Sequence, residues 1–383
     1  MCRAATILVF GLGWLASAPV VAGDPATPVA ADLQAIYART QSAVEEAQFT
    51  EIARACSRII PDEGRSAADK AYAYKLFAWA LNRRGEVRGE RAAKMVRDGQ
   101  LAEAQKVDEL AGKDFAMAVE YAPDNWRIHH NLAIAHAMEG KYDEAIDAFT
   151  QVIQLKDDYP NAYYNRAELH FEQEHFAQAV TDYSNAIELA GNDARYHNGR
   201  AHASFMLNNF DAAIADYAQA AALEATNATY ITDLADALQS VGRWEDAATR
   251  YRQAVAADKF YARAYRNISW LLATCPDSRF RNPNLALTAA RKAIELEGEK
   301  DFRALDTLAA ATAATGDSLQ AAKVMRQAIA VAPPSARAEL TARSAMYAEG
   351  GKFVQASPKP VQKAPAINNS EVRTASGAAP INR

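Results

Sequence analysis

The 383-residue chain lacks the local signatures by which most enzymes announce themselves. It has no phosphate-binding glycine loop, no His-Glu-x-x-His pair and no Gly-x-Ser-x-Gly elbow. With 17 glycines and 14 prolines, about 8% together against the roughly 12% of an average protein, collagen-like or wholly disordered character is excluded for most of the length. A net charge of -5 gives no basic footprint for nucleic acid. Cysteine is scarce: Cys2 stands at the extreme start, and only Cys56 and Cys275 lie in the body of the chain.

The two ends read differently from the middle. Residues 1–22 have Arg3 as a positive start, an apolar run from Ala4 to Leu15, and Val20-Val21-Ala22 as a small-residue exit. That is the pattern of a cleaved secretory signal, and the run is too short for a bilayer of about 30 Å. The expectation is an exported chain, periplasmic or secreted, with no transmembrane segment after cleavage; the alternative is an uncleaved anchor. Gly11-Leu12-Gly13 falls inside this leader, which removes a dinucleotide reading. At the other end, residues 352–383 are rich in Pro, Ala, Ser and Asn and read as a disordered tail. There Lys352, Lys359, Lys363, Arg373 and Arg383 oppose Glu371, giving +4; with Arg3 in the leader, the body from 23 to 351 carries -10. A basic tail thus follows an acidic body.

In between, the chain repeats itself every 34 residues from Trp126 onward. Small residues recur as Ala133, Ala167, Ala201, Ala235 and Ser269, and again as Ala145, Ala179, Ala213 and Ala247. A third small series is Ala186, Ala220 and Ala254. Aromatic residues keep the same step as Tyr142, Phe176, Phe210 and Trp244, then Phe149, Tyr183, Tyr217 and Tyr251. Within a unit the small and apolar positions fall at i, i+3, i+4 and i+7, one face of a helix. Glu139-Gly140-Lys141, Asn208-Asn209 and Val241-Gly242-Arg243 break each unit into two helices, with Gly or Asn suited to a left-handed turn. One helix pair cannot cover its own apolar face, so stability must come from stacking.

These ladders resemble the tetratricopeptide repeat from about Asp32 to Ser335. Arg166 and Arg200 depart from it by replacing a large apolar residue, and His136 and His170 stand where Tyr is usual. The resemblance implies an all-α fold, a right-handed α-α superhelix of about eight helix pairs with a C-terminal capping helix. The expected order is a signal peptide at 1–22, a short linker at 23–31, a weak first repeat at 32–66, and a repeat at 67–125. Four regular repeats follow at 126–261, then one with an extended turn at 262–301, one at 302–335, a capping helix at 336–351 and the tail at 352–383. The charged stretch Glu86 to Lys106 within 67–125 is expected to extend one helix outward as a solvated projection.

The strongest candidate for binding is a polar series on the first helices: Asn131, Asn165, Gly199, Asp233 and Asn267, with Asn198 beside the glycine. The resemblance puts first helices on the concave side, and an Asn there can donate to and accept from the backbone of an extended peptide. Equally, such amides could tie neighbouring helices together. Tyr164, Glu168, Phe171, His202, Phe205, Met206, Asp236 and Arg266 flank the series, and Trp270, followed by Leu271 and Leu272, reads as core. All seven histidines fall between His129 and His202, but without a carboxylate or cysteine pattern that would make a metal site. Cys56 and Cys275, several repeats apart, are expected as buried thiols and not a disulfide. The expectation is a non-enzymatic scaffold without cofactor or metal, holding a protein or peptide partner in its groove. Two other readings stay open: an envelope-associated structural protein localised by its tail, and an accessory subunit of an exported enzyme complex.

Overall fold

The computed structural model describes residues 30–298 and 300–358, and every regular element among them is helical. Residues 1–29, 299 and 359–383 lie outside the described residues, and with them the expected signal segment, most of the expected linker and most of the expected tail. Two compact units divide at Ala190 and Gly191. The first holds four helix pairs: α1 (Ala31–Thr40) with α2 (Glu46–Ile59), α3 (Ala67–Arg97) with α4 (Leu101–Tyr121), α5 (Trp126–Met138) with α6 (Tyr142–Leu155), and α7 (Pro160–Glu172) with α8 (Phe176–Leu189). The second holds α9 (Ala194–Met206) with α10 (Phe210–Leu223), α11 (Ala228–Ser240) with α12 (Trp244–Ala257), α13 (Ala262–Thr274) with α14 (Pro283–Glu297), α15 (Phe302–Thr315) with α16 (Ser318–Val331), and α17 (Pro334–Ala348) against α16.

The 34-residue ladders become the packing surfaces. Ala133, Ala167, Ala201 and Ala235 are 0% exposed, as are Ala145, Ala179, Ala213 and Ala247, because only a methyl fits where paired helices cross. The aromatic series Phe149, Tyr183, Tyr217 and Tyr251 is buried beside them. Each such ring contributes about 1.5–3 kcal/mol by leaving water. First helices start on polar caps: Asn125, Asp193 and Asn227, one per regular repeat, accept the backbone N–H two residues on. At the corresponding place before α7, Pro160 sits in the first turn, where its missing N–H costs nothing.

Between the two helices of a repeat the chain turns through a left-handed residue at every 34-residue step. Gly140, Asn208 and Gly242 occupy this position with φ of 76°, 60° and 81°. Glu174 occupies it too, at φ 62°, although its side chain gives no hint of it in the sequence.

Arg166 and Arg200, the departures from the repeat pattern, are explained by partners 16 residues on. Arg166 makes two 2.7 Å bonds to the Asp182 carboxylate, and its third nitrogen donates to Thr150 at 2.9 Å. Arg200 meets Asp216 in the same way, at 2.7 Å twice. In the irregular repeat Arg84 grips Asp114 at 2.9 and 2.6 Å and donates to Thr50. Each pair is the bidentate fork that suits guanidinium to carboxylate, linking the first helix of a repeat to its second.

Two expectations are corrected. The insertion lengthens both helices of its pair, α3 to 31 residues and α4 to 21, and it is not wholly solvated. Glu86, Gly89, Ala92 and Ala104 are buried along the contact because small residues let the extended rods touch. The first residues of the tail, expected as disordered, are placed: residues 352–358 lie against the rest of the second unit, held by the aromatic and backbone contacts described below, and the remainder of that expectation falls on residues outside those described.

Candidate functional site

In the second unit the first helices α9, α11 and α13 present a linked row of polar groups. Asn198 on α9 donates to Asp233 on α11 at 3.0 Å, and His202 approaches the same carboxylate at 3.4 Å. Arg263 on α13 bridges Asp233 at 2.8 Å and Asp236 at 2.5 Å. Asn267, one turn along, donates to Asp236 at 2.7 Å. Tyr251, rising from α12, donates its hydroxyl to Asp236 at 2.5 Å. Burial pulls the Asp233 carboxyl upward, but His202, Arg263 and Asn198 together hold it below the ordinary carboxylate range. Burial, then Asp236, pushes the Tyr251 phenol well above its usual value, so it stays a donor. The row is therefore a rigid, pre-satisfied floor.

Beside this floor is a cavity of about 290 Å³ lined by Asp236, Gln239, Ser240, Tyr251, Asn267, Trp270 and Gln355. Gln355 belongs to the tail. After α17 the chain turns back, and its N–H at Gln355 donates to the Thr274 carbonyl at 2.8 Å. Phe353 packs on Trp270 with ring centroids 5.6 Å apart, and the Arg343 guanidinium lies 5.2 Å from the Phe353 ring and 5.5 Å from that of Trp270. Arg343 is itself fixed by Asp306 at 2.7 Å and Glu339 at 2.7 Å. Lys352 donates to the Ala314 carbonyl at 3.1 Å, and Gln239 donates to the Gln355 carboxamide at 3.4 Å. Trp270 is therefore not core: it lines the cavity and carries the tail's aromatic ring. Its place at the mouth follows from Leu271, not Trp270, taking the buried side of α13.

The other sequence-nominated residues are distributed as follows. In the second unit Phe205 packs edge-on against Phe210 with centroids 5.1 Å apart, Met206 is 52% exposed, and Arg266 pairs with Glu297. In the first unit Asn131 is 0% exposed and donates to Asn82 at 3.1 Å and Glu86 at 3.2 Å, so it ties α5 to α3. Asn165 is buried at 2% with its amide nitrogen unpartnered. Tyr164 is buried against Tyr183, whose hydroxyl donates to Glu168, and Phe171 meets Phe176 edge-on. Sequence reasoning missed Gln239, Tyr251, Thr274, Arg343 and Phe353. Of these only Tyr251 belonged to a recognised ladder; the rest meet through a chain reversal that no period encodes.

The histidines serve individual contacts. His129 bonds the Pro123 carbonyl at 2.8 Å and His197 that of Gly191 at 3.0 Å, while His130 lies edge-on to Phe149 and Tyr159. Burial lowers the affinity of His136 and of His170 for a proton. Cys56 and Cys275 are buried free thiols, and burial pushes Cys56 up to about 12, which leaves it unreactive. Among the described residues no helix is long and apolar enough to cross a membrane.

Stacked helix pairs with one polar, partly open first-helix face define the class, a helical-repeat scaffold for protein–protein interaction. Family models described as tetratricopeptide repeats match residues 136–203, and 108–161 with 232–274. Residues 108–203 and 232–274 are thus tetratricopeptide repeats. A search of curated proteins found no match. Solved structures similar to it include the MamA protein, 20% identical, covering 46% of this chain and 93% of that one at a TM-score of 0.41. Another is YrrB, described as a TPR protein with an unusual peptide-binding site, at 17% identity, 50% and 95% coverage and a TM-score of 0.42. Yeast Tom70 is 15% identical, covering 90% of this chain and 69% of that one at a TM-score of 0.45. The repeat assignment rests on the family models and the helix pairs, not on these likenesses.

Proposed function

We propose that the protein is a non-enzymatic scaffold, acting outside the cytoplasm, whose second unit holds an extended protein segment across the first-helix face of α11 and α13. The observation that carries this reading is the Gln355 N–H bonded to the Thr274 carbonyl, a main-chain contact made on that face by an extended stretch of chain. Backbone hydrogen bonds give affinity to any extended peptide, and aromatic pockets such as that of Trp270 give selectivity. Asn198, His202, Phe205, Met206, Asp236, Arg266 and Asn267 supply the floor and rim; in the first unit Asn131, Asn165 and Tyr164 are buried between helices, which leaves only the half-buried Glu168 and Phe171 of the nominated residues for a corresponding face. Catalysis finds no support in a floor whose carboxylates are already held by Arg263, Asn267 and Tyr251. The test is affinity capture with the native chain and with Trp270→Ala combined with Asn267→Ala, followed by binding of each captured protein's extended segments as synthetic peptides. Loss of peptide binding in the variant, with helicity at 222 nm unchanged, supports the reading; equal binding by both chains refutes it. Fractionation of cells expressing the full chain checks the export.

A further inference from the structure

We infer that residues 353–358 are a resident occupant of the second unit's face, and that the external partner is an extended segment carrying an aromatic residue followed two positions on by glutamine, which must displace them. This rests on the proposed docking reading and adds both the chemistry of the partner and the control of its access.

Four observations carry it. The tail's main chain meets a helix end: Thr274 closes α13, Pro276 prevents its continuation, and the last carbonyls of a helix have no partner of their own. Gln355 satisfies one of them without using any side-chain chemistry. Next, Phe353 packs against Trp270 with the Arg343 guanidinium beside both rings, the kind of aromatic and guanidinium pocket that dominates recognition energy. Exposure alternates along the segment, with Phe353 and Gln355 half-buried and Lys352, Val354 and Ala356 exposed, the period of an extended strand laid on a surface. Lastly, the reversal is built in: Gly350 has φ 86°, and a Cβ on Gly351 would lie 2.6 Å from the Met346 side chain and 2.9 Å from its carbonyl.

The occupant is held closely but not tightly. Between Ala348 at the end of α17 and Phe353 only a short connection intervenes, so the segment is presented at an effective concentration on the order of millimolar. Yet its Gln355 carboxamide makes a long 3.4 Å contact to Gln239 beside the 290 Å³ cavity. A segment in trans with the same aromatic–x–glutamine pattern and further contacts on α11 replaces it by mass action.

The experiment uses the full chain and a fluorescent peptide with the sequence of residues 350–363, read by anisotropy. The peptide should bind the full chain carrying Phe353→Ala and Gln355→Ala about tenfold or more tightly than the native chain, since a millimolar internal competitor has been removed. Adding Trp270→Ala to that variant should abolish binding, as should replacing the peptide's own phenylalanine by alanine. Equal, Trp270-dependent affinity for both chains overturns the resident tail while leaving the docking reading intact. No binding to any chain overturns the docking reading with it. A concentration-dependent dimer of the native chain, absent from the Phe353→Ala, Gln355→Ala chain, would also overturn the proposal, because the occupant would then be the tail of a second copy.

Discussion

Removing the Arg166 guanidinium, by Arg166→Leu, strands a carboxylate in the interior of the first unit. The two side chains are only 6% and 3% exposed, and the fork leaves both Asp182 oxygens bonded at 2.7 Å. Without it, His170 lies 3.9 Å from the carboxylate, but burial lowers its affinity for a proton, so it is a poor substitute for the guanidinium. A buried charge orphaned in this way costs about 3–5 kcal/mol. The repeat immediately before shows the remedy: Leu132 and Ala148 stand where Arg166 and Asp182 stand, 34 residues earlier. Arg166→Leu combined with Asp182→Ala should therefore return to within about 1 kcal/mol of the native chain, because a well-packed apolar pair replaces an ion pair at little net cost. The assay is urea unfolding followed at 222 nm for the native chain, both single variants and the double, with the coupling read from the cycle. A coupling of about 2 kcal/mol or more is expected. If each single variant costs under about 1 kcal/mol and the two simply add, the fork is no more than a surface pair and the reasoning fails. Arg243 and Asp246, equally close at 2.7 Å but more than half exposed, provide the contrast: Arg243→Ala should barely shift the midpoint.

Two further outcomes follow from local geometry. Glu174→Gly should stabilise the chain by about 1 kcal/mol, since Glu174 holds the left-handed position that Gly140 and Gly242 fill; a lower melting temperature in the variant would contradict this. Asp108 is half-buried on α4, and desolvation, then the Glu139 charge, raise its carboxyl to about 6. Its folded value thus exceeds the unfolded one of roughly 3.9, so the folded chain binds a proton more readily, and stability from this group is lost as pH rises from about 4 to about 6. Asp108→Asn should therefore stabilise at pH 7, by about 1 kcal/mol after allowance for solvent screening, and have little effect at pH 4; equal effects at both values would refute it.

Much of the architecture was legible because a 34-residue period forces equivalent residues into equivalent contacts. Once Ala133, Ala167, Ala201 and Ala235 are in register, their burial at helix crossings is a geometric consequence. The Arg166 and Arg200 forks were less visible, since a lone arginine reads as a flaw until Asp182 and Asp216 are noticed at a constant step of 16 residues. Asn131 belongs to the polar series by spacing, yet its partners Asn82 and Glu86 come from the irregular repeat, outside the register. The tail was the least legible. Its Pro, Ala and Ser content predicts no regular element, whereas the position of residues 352–358 depends on Trp270 facing outward and on Gly350 and Gly351 reversing the chain.

Amide hydrogen exchange at the tail measures most directly whether the second unit's face holds an extended chain. In the native protein the Gln355 amide, bonded to the Thr274 carbonyl, should exchange at least about tenfold more slowly than an unstructured peptide of the same sequence, and Trp270→Ala should remove that protection. Exchange of Gln355 at the free-peptide rate in the native chain, with α13 itself protected, would contradict the account.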